Sequence, residues 1–357
     1  MEKSEFIKYN QFYIFGAGST AVKVLDVLKL KKKVVSSFII SSLPSKNNLN
    51  GIKIKELSLK EEFDITVPII IGIFNREENA FLPKIICNLQ SFGFEKIITY
   101  PEFHSFYYDN IGVNFWLTNK EYYSKNIQKY IDVLSLLDDQ ISIDCYNQII
   151  NYLTTFDPLI LKKFNSKHQY FPGDLNVWNG KNAFIDIGSF DGQNIVDAYN
   201  TYGLLDLVIA FEPDLTNYKN IVTNLRLKDI SKQYFIYPCG VWSETKFLNF
   251  NSGNGESSSQ CKNGDQIISV VKLDEVINVI PGYLKMDIEG SEIDALLGSK
   301  EFIIKHKPSL AICLYHSPDH FYEIPKLIAS WNLNYKLYIR QHGNNLFETV
   351  LYCIQNS

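Results

Sequence analysis

The run Phe184–Gly192 (FIDIGSFDG) joins an apolar strand to a glycine turn, and Glu212 closes the next apolar strand, Leu207–Phe211. Strand, turn, helix, strand and acid in that order set a turn backbone against one half of an adenosine cofactor. They set a carboxylate against its ribose diol. Asp186, inside the motif, would sit badly beside a pyrophosphate but suits a cationic cofactor with an amino-acid tail. That predicts S-adenosylmethionine and disfavours NAD. Gly188, Ser189 and Gly192 bring backbone to the methionine end, where the helix start after Asp191 favours a carboxylate. Asp186 is then the partner of the ammonium group, and Glu212, before Pro213, of the two ribose hydroxyls. Gly240 and Val241 follow the third strand, where backbone meets adenine. The plainer alternatives are a tight turn for the glycines and a solvated strand end for Glu212.

A methyl group leaves a sulfonium by in-line displacement, so such a site must align an oxygen nucleophile and accept its proton. Asp287 and His316 end the fourth and fifth strands, at the carboxyl edge where ligands bind in open α/β folds. Either takes the proton, with Lys285, Glu289 and Glu292 in support; a satisfied structural histidine is the alternative for His316. Tyr170, Glu289, Glu292, Arg340 and His342 are candidates to face the acceptor, and the polar stretch 251–260 is a loop that could fold over it. Asp287 and His316 also stand where some O-methyltransferases hold magnesium. Histidine is a poor magnesium ligand, so no metal is assigned.

The elements that must position these residues form two α/β units. Residues 1–117 alternate strands (Phe12–Phe15, Val34–Ile40, Ile69–Ile71, Ile97–Ile98) with helical periodicity, which predicts a Rossmann-like, doubly wound sheet. Residues 118–165 show only helix faces (Ile127, Tyr130, Ile131, Leu134, then Ile143, Tyr146, Ile149, Ile150, Leu153) and read as a connector lidding the second unit. Residues 166–357 carry seven strands, the last two joined by a short polar link, so one of them runs antiparallel. Ser291 with Asp294 reads as a capping box, and Ser317–Pro318 as a cap followed by proline at the first helical position.

The second half resembles the FkbM family of S-adenosylmethionine-dependent O-methyltransferases. The matching pieces run in the family's order: Tyr170–Pro172, Phe184–Ile195, Phe211–Pro213, Val271–Asp274, Tyr283–Gly298, Leu314–His316 and the tail from Tyr338 to Tyr352. The resemblance implies a seven-stranded class I methyltransferase sheet with an antiparallel last strand. It also implies methyl transfer to a hydroxyl, often on a sugar of a surface glycan or secondary metabolite. In the first unit, Gly16, Gly18 and Ser19 belong to a G-x-G-x-x-A loop after a strand. Ser41 and Ser42 stand where a ribose-binding acid would belong, which weighs against NAD. That unit resembles nucleotide-binding domains of sugar-modifying enzymes; holding the nucleotide of a nucleotide-sugar and a structural or dimer-forming role are both open.

Composition sets the outer limits. Hydrophobic residues at 46% and charged residues at 21% describe an ordinary globular chain, long enough at 357 residues for two domains. A net charge of −4 argues against nucleic acid as a partner. Six cysteines without a C-x-x-C pair predict reduced thiols, and no run is apolar enough to span a bilayer, so a cytoplasmic protein is expected. The competing readings are a nucleotide-sugar oxidoreductase and a non-catalytic nucleotide-binding protein.

Overall fold

The computed structural model describes residues 3–42, 46–58, 63–162, 168–178, 180, 182–226, 229–251, 259–260 and 266–355. The chain forms two compact units. One comprises Met1–Gln128, Asn147–Phe164 and Gly343–Phe347; the other comprises Lys129–Tyr146, Asn165–His342 and Glu348–Ser357. The expected helical connector is therefore not a separate body. Its two helices, Lys120–Val133 and Gln140–Thr155, are each divided between the units. On the first helix Tyr130 of the expected face is buried, with Tyr123 and Val133, whereas Ile131 is exposed.

In the first unit, β1 (Gln11–Phe15), β2 (Val34–Ile40), β3 (Asn48–Leu49), β4 (Ile52–Glu56), β5 (Ile69–Ile71) and β6 (Ile97–Ile98) form a sheet in the order β3-β4-β2-β1-β5-β6. All pairs are parallel except the β3–β4 hairpin, which the polar text of that stretch concealed. The chain leaves β1 in one direction to β2 and returns on its other side to β5, so a topological switch lies between β1 and β5. Gly16 follows β1 with φ +106° and is buried; Gly18 and Ser19, opening the helix Ser19–Leu30, are exposed. A Cβ on Gly72, after β5, would lie 2.8 Å from Ala21 Cα, so this glycine lets the helix settle on the sheet. Ser41 and Ser42 are exposed beyond β2.

The second unit is built on β7 (Ala183–Ile187), β8 (Leu207–Phe211) and β9 (Tyr234–Tyr237), then β10 (Gly240–Val241), β11 (Lys246–Asn251), β12 (Ser259–Gln260) and β13 (Gln266–Val271), and finally β14 (Pro281–Met286), β15 (Ser309–Cys313), β16 (Tyr335–Gln341) and β17 (Thr349–Gln355). Seven of them make the sheet β16-β17-β15-β14-β7-β8-β9, with β17 antiparallel to both neighbours and every other pair parallel. Its central strands are buried on both faces, which is why they read as apolar runs, interrupted inside β7 by Asp186 and inside β14 by Lys285. A side sheet, β10-β13-β11-β12, follows β9, with β11 and β12 antiparallel; of the expected loop 251–260, residues 252–258 lie outside the described residues.

One expected capping box is missing and one expected helix start moves. Ser291 makes no side-chain cap, and Asp294 instead accepts from Ser243 Oγ at 3.0 Å, so there is no capping box. The helix after Ser317–Pro318 opens at His320 with Asp319 as its cap. No helix among the described residues is long and apolar enough to cross a membrane.

Candidate active site

Strand β7 runs into a bend that only a narrow set of residues permits. Gly188 (φ +79°), Phe190 (φ +50°) and Gly192 (φ +83°) all take left-handed backbone. The Gly188 and Ser189 N–H groups donate to Phe211 O at 3.0 and 3.2 Å, tying the bend to the end of β8. Ser189 is buried and its hydroxyl donates to Asp186 O. Asp191 Oδ1 accepts from Gln193 N at 3.0 Å at the start of the helix Gln193–Tyr202. A Cβ on Gly188 would fall 1.8 Å from Asp287 O, so the bend rests directly on the chain leaving β14. Gly188→Ala is expected to destabilise the fold by at least about 3 kcal/mol through overpacking plus unfavourable φ. A thermal melt within about 2 °C of the parent would contradict this contact.

Glu212 turns toward that bend. Its Oε2 accepts from Phe190 N at 2.8 Å and its Oε1 from Asp214 N at 2.9 Å. Burial pushes its carboxyl up to about 7 against these bonds. The Asn217 side chain also hydrogen-bonds this carboxyl, so three of its roughly four acceptor sites are taken from within the protein. Asp214 caps the helix Leu215–Arg226 through Thr216 N and Asn217 N, fixing the chain just beyond Pro213. Gly240 lies beside Pro213, a Cβ there standing 3.9 Å from Pro213 Cγ, and the Val241 side chain is buried.

Behind the bend, Asp186 and Lys285 form a wholly buried pair, Nζ to Oδ1 3.1 Å. Lys285 also donates to Gly188 O and lies 5.0 Å over the Tyr170 ring. Burial raises the Asp186 carboxyl while the Lys285 charge lowers it; for Lys285, burial opposes the acids and the acids prevail. Asp186 thus finds its cation inside the protein, where the sequence suggested a ligand's ammonium. Lys285 is a structural counter-ion that holds the bend and does not support proton transfer.

At the ends of β14 and β15, Asp287, Glu289, Glu292, His316 and Tyr170 converge. Buried Tyr170 donates to Asp287 Oδ2 at 2.6 Å, so it orients that carboxyl and does not face an acceptor. Glu292 is buried and clamps the turn: Oε1 accepts from Ile288 N at 2.9 Å, Oε2 from Gly290 N at 3.1 Å. Within the clamped turn Glu289 takes φ +54° and Gly290 φ +101°. Glu292 Oε1 lies 2.7 Å from His316 Nδ1 and Oε2 lies 3.2 Å from His320 Nδ1. Glu292 therefore organises the site from within and is not an acceptor contact. His316 Nε2 points to Asp287 Oδ1 at 3.3 Å and Glu289 Oε2 at 3.8 Å.

This surrounding decides what His316 can do. Burial lowers its basicity, but Glu292, Glu289 and Asp287 outweigh burial and lift it to about 10. That surrounding favours the protonated ring, which is poorly suited to the general-base role expected of it from the sequence. Asp287 and Glu289 remain. The imidazolium holds Glu292 well below the ordinary carboxylate range, although burial acts the other way. His320, which carried no motif of its own, joins through Glu292; its one signal was its place at a helix start four residues beyond His316.

Arg340 and His342 are engaged elsewhere. The Arg340 guanidinium bonds Asp139 Oδ2 at 2.6 Å, Asp174 Oδ2 at 2.8 Å and Ser142 Oγ at 2.8 Å, and is buried. It pins β16 to the start of the helix Gln140–Thr155 and leaves nothing for an acceptor. His342 Nε2 lies 2.7 Å from the Tyr352 hydroxyl.

A seven-stranded sheet with its next-to-edge strand reversed, and a glycine bend after β7, its first strand in chain order, defines a methyltransferase fold. Residues 186–343 match the family model described as the methyltransferase FkbM domain. The methyltransferase FkbM of Methylobacillus flagellatus KT is similar over 99% of this chain and 92% of its own, with a TM-score of 0.80 at 19% identity. Likeness to the precorrin-6y C5,15-methyltransferase of Geobacter metallireducens GS-15 is remote: TM-score 0.26, 8% identity, 49% of this chain and 81% of that one. No curated protein sequence matches the chain. The family match and the fold both support a methyltransferase.

Proposed function

We propose that the protein is an S-adenosylmethionine-dependent O-methyltransferase acting on a hydroxyl of a sugar, nucleotide-sugar or surface-glycan precursor. The observation that carries it is the Glu212 carboxylate at the end of β8, held against the glycine bend by Phe190 N, Asp214 N and the Asn217 side chain, where a ribose hydroxyl would meet its remaining acceptor site. The cofactor, when bound, supplies a methyl group activated on sulfur. The protein's own work is to align the acceptor oxygen at the carboxyl edge of β14 and β15 and to accept its proton. Asp287, oriented by Tyr170, and Glu289 are the two groups available for that proton. His316, already protonated, stabilises the negative charge that gathers as the acceptor hydroxyl is drawn toward them.

A sugar acceptor fits because an aliphatic hydroxyl is a poor nucleophile and needs this concentration of acids. In the first unit, the exposed Gly18–Ser19 helix start beside Gly16 would receive the phosphates of a nucleotide-linked acceptor. Calorimetry should give micromolar-range binding of S-adenosylmethionine. Labelled methyl should pass to at least one member of a panel of nucleotide-sugars and glycans. Folded protein that binds no cofactor would end the proposal.

A further inference from the structure

The geometry points to a divalent-cation site made by Asp287, Glu289 and His316; this inference rests on the methyl-transfer reading for its purpose but not for its existence. One donor atom from each residue lies within 4.8 Å of the others. Around a six-coordinate first-row ion with bonds of about 2.1 Å, neighbouring donors stand about 3 Å apart. His316 Nε2 and Asp287 Oδ1, at 3.3 Å, are near that spacing already, and Glu289 Oε2, at 3.8 Å from Nε2, has under roughly 1 Å to close.

Two observations distinguish this cluster from a chance gathering of acids. The His316 side chain is only 1% exposed, and Glu292 holds its Nδ1 at 2.7 Å, leaving Nε2 as the atom presented to the carboxyls. A carboxylate behind a histidine is how metal-binding imidazoles are oriented and made better donors. Independently, Asp287 Oδ1 is buried and takes no hydrogen bond among the described residues, although Oδ2 of the same group is satisfied by Tyr170. The turn carrying Glu289 spends unfavourable backbone, φ +54°, to bring that carboxyl back over the site, and Glu292 clamps it there.

The donor set of one imidazole and two carboxyls suits a first-row divalent ion such as Mn2+ better than calcium or magnesium. Such an ion takes the position of the Nε2 proton and answers the same acids. With three protein donors it keeps open positions for a hydroxyl, whose proton it would make easier to remove.

The test is titration of purified, chelator-treated protein with Mn2+, followed by electron paramagnetic resonance of the free ion. One equivalent should bind saturably, and Glu289→Gln, at a partly exposed position, should weaken it at least about tenfold with an unchanged melting temperature. Asp287→Asn should do the same if Glu289→Gln proves unstable. No saturable binding, or affinity that neither substitution alters, overturns the site. Cofactor binding is measured separately on metal-free protein, so loss of the cation site and failure of the methyl-transfer reading give different results.

Discussion

Glu212→Ala is expected to weaken S-adenosylmethionine binding at least about 100-fold. A hydroxyl bond to a charged carboxylate contributes up to roughly 3 kcal/mol, and each 1.4 kcal/mol is a factor of ten. The substitution also strips Phe190 N and Asp214 N of their acceptor, so the bend loosens and the loss exceeds that of the diol alone. The parent protein should show a pH signature. Burial has raised Glu212 from 4.5 to about 7, so in the free protein its favourable contribution to stability is full below about 4.5 and is lost as pH rises through about 7. The diol needs the charged form. Affinity should therefore fall about tenfold for each pH unit below 7 and level off above it. Glu212→Gln should bind weakly at every pH and lose the slope. Calorimetry at pH 6, 7 and 8 checks both, and a parent affinity independent of pH would show that Glu212 does not touch the cofactor.

Local features of this site were legible in the sequence, and long-range partnerships were not. Strand β8 has the bounds read from the sequence, Leu207–Phe211, because a strand buried on both faces is a continuous apolar run bounded by turn residues. The bend and Glu212 follow from spacing, which the βαβ geometry fixes. Lys285 beside Asp186, Arg340 between Asp139 and Asp174, and the charge on His316 depend on residues brought together only by folding. Charged residues near strand ends therefore looked like ligand contacts when three of them, Asp186, Lys285 and Arg340, had internal partners. Glu292 shows the same limit at short range. Its place in the first turn of a helix suggested an outward acid, yet its carboxyl turns back to cap the preceding turn and reach two histidines. Asp274, one of the residues behind the family resemblance, serves structure: it accepts from Phe302 N at 2.8 Å and caps the helix Lys300–His306.

Lys285→Met should be the most destabilising of the conservative substitutions at the site. It leaves the Asp186 carboxylate buried without its counter-charge, a loss of about 3–5 kcal/mol for pairs of this kind. It also removes the donor to Gly188 O, so the bend that Glu212 grips loses its support from behind. Cofactor affinity should fall even though Lys285, walled in by Tyr170 and Asp186, does not reach the ligand. The direction with pH is fixed by the same pair. Lys285 opposes the burial that raises Asp186, so without it Asp186 rises further and the variant recovers stability as the pH is lowered from 8 to 5. Adding Asp186→Asn removes the orphaned charge, and the double variant should regain most of the loss, with a coupling of about 2 kcal/mol or more in denaturant titration. If the two substitutions were simply additive, the pair would not be what supports the bend. Cofactor affinity in the double variant then separates charge from geometry: affinity that recovers with stability means Lys285 acts through the fold, whereas stability regained without affinity means the Gly188 bond itself shapes the cofactor bend.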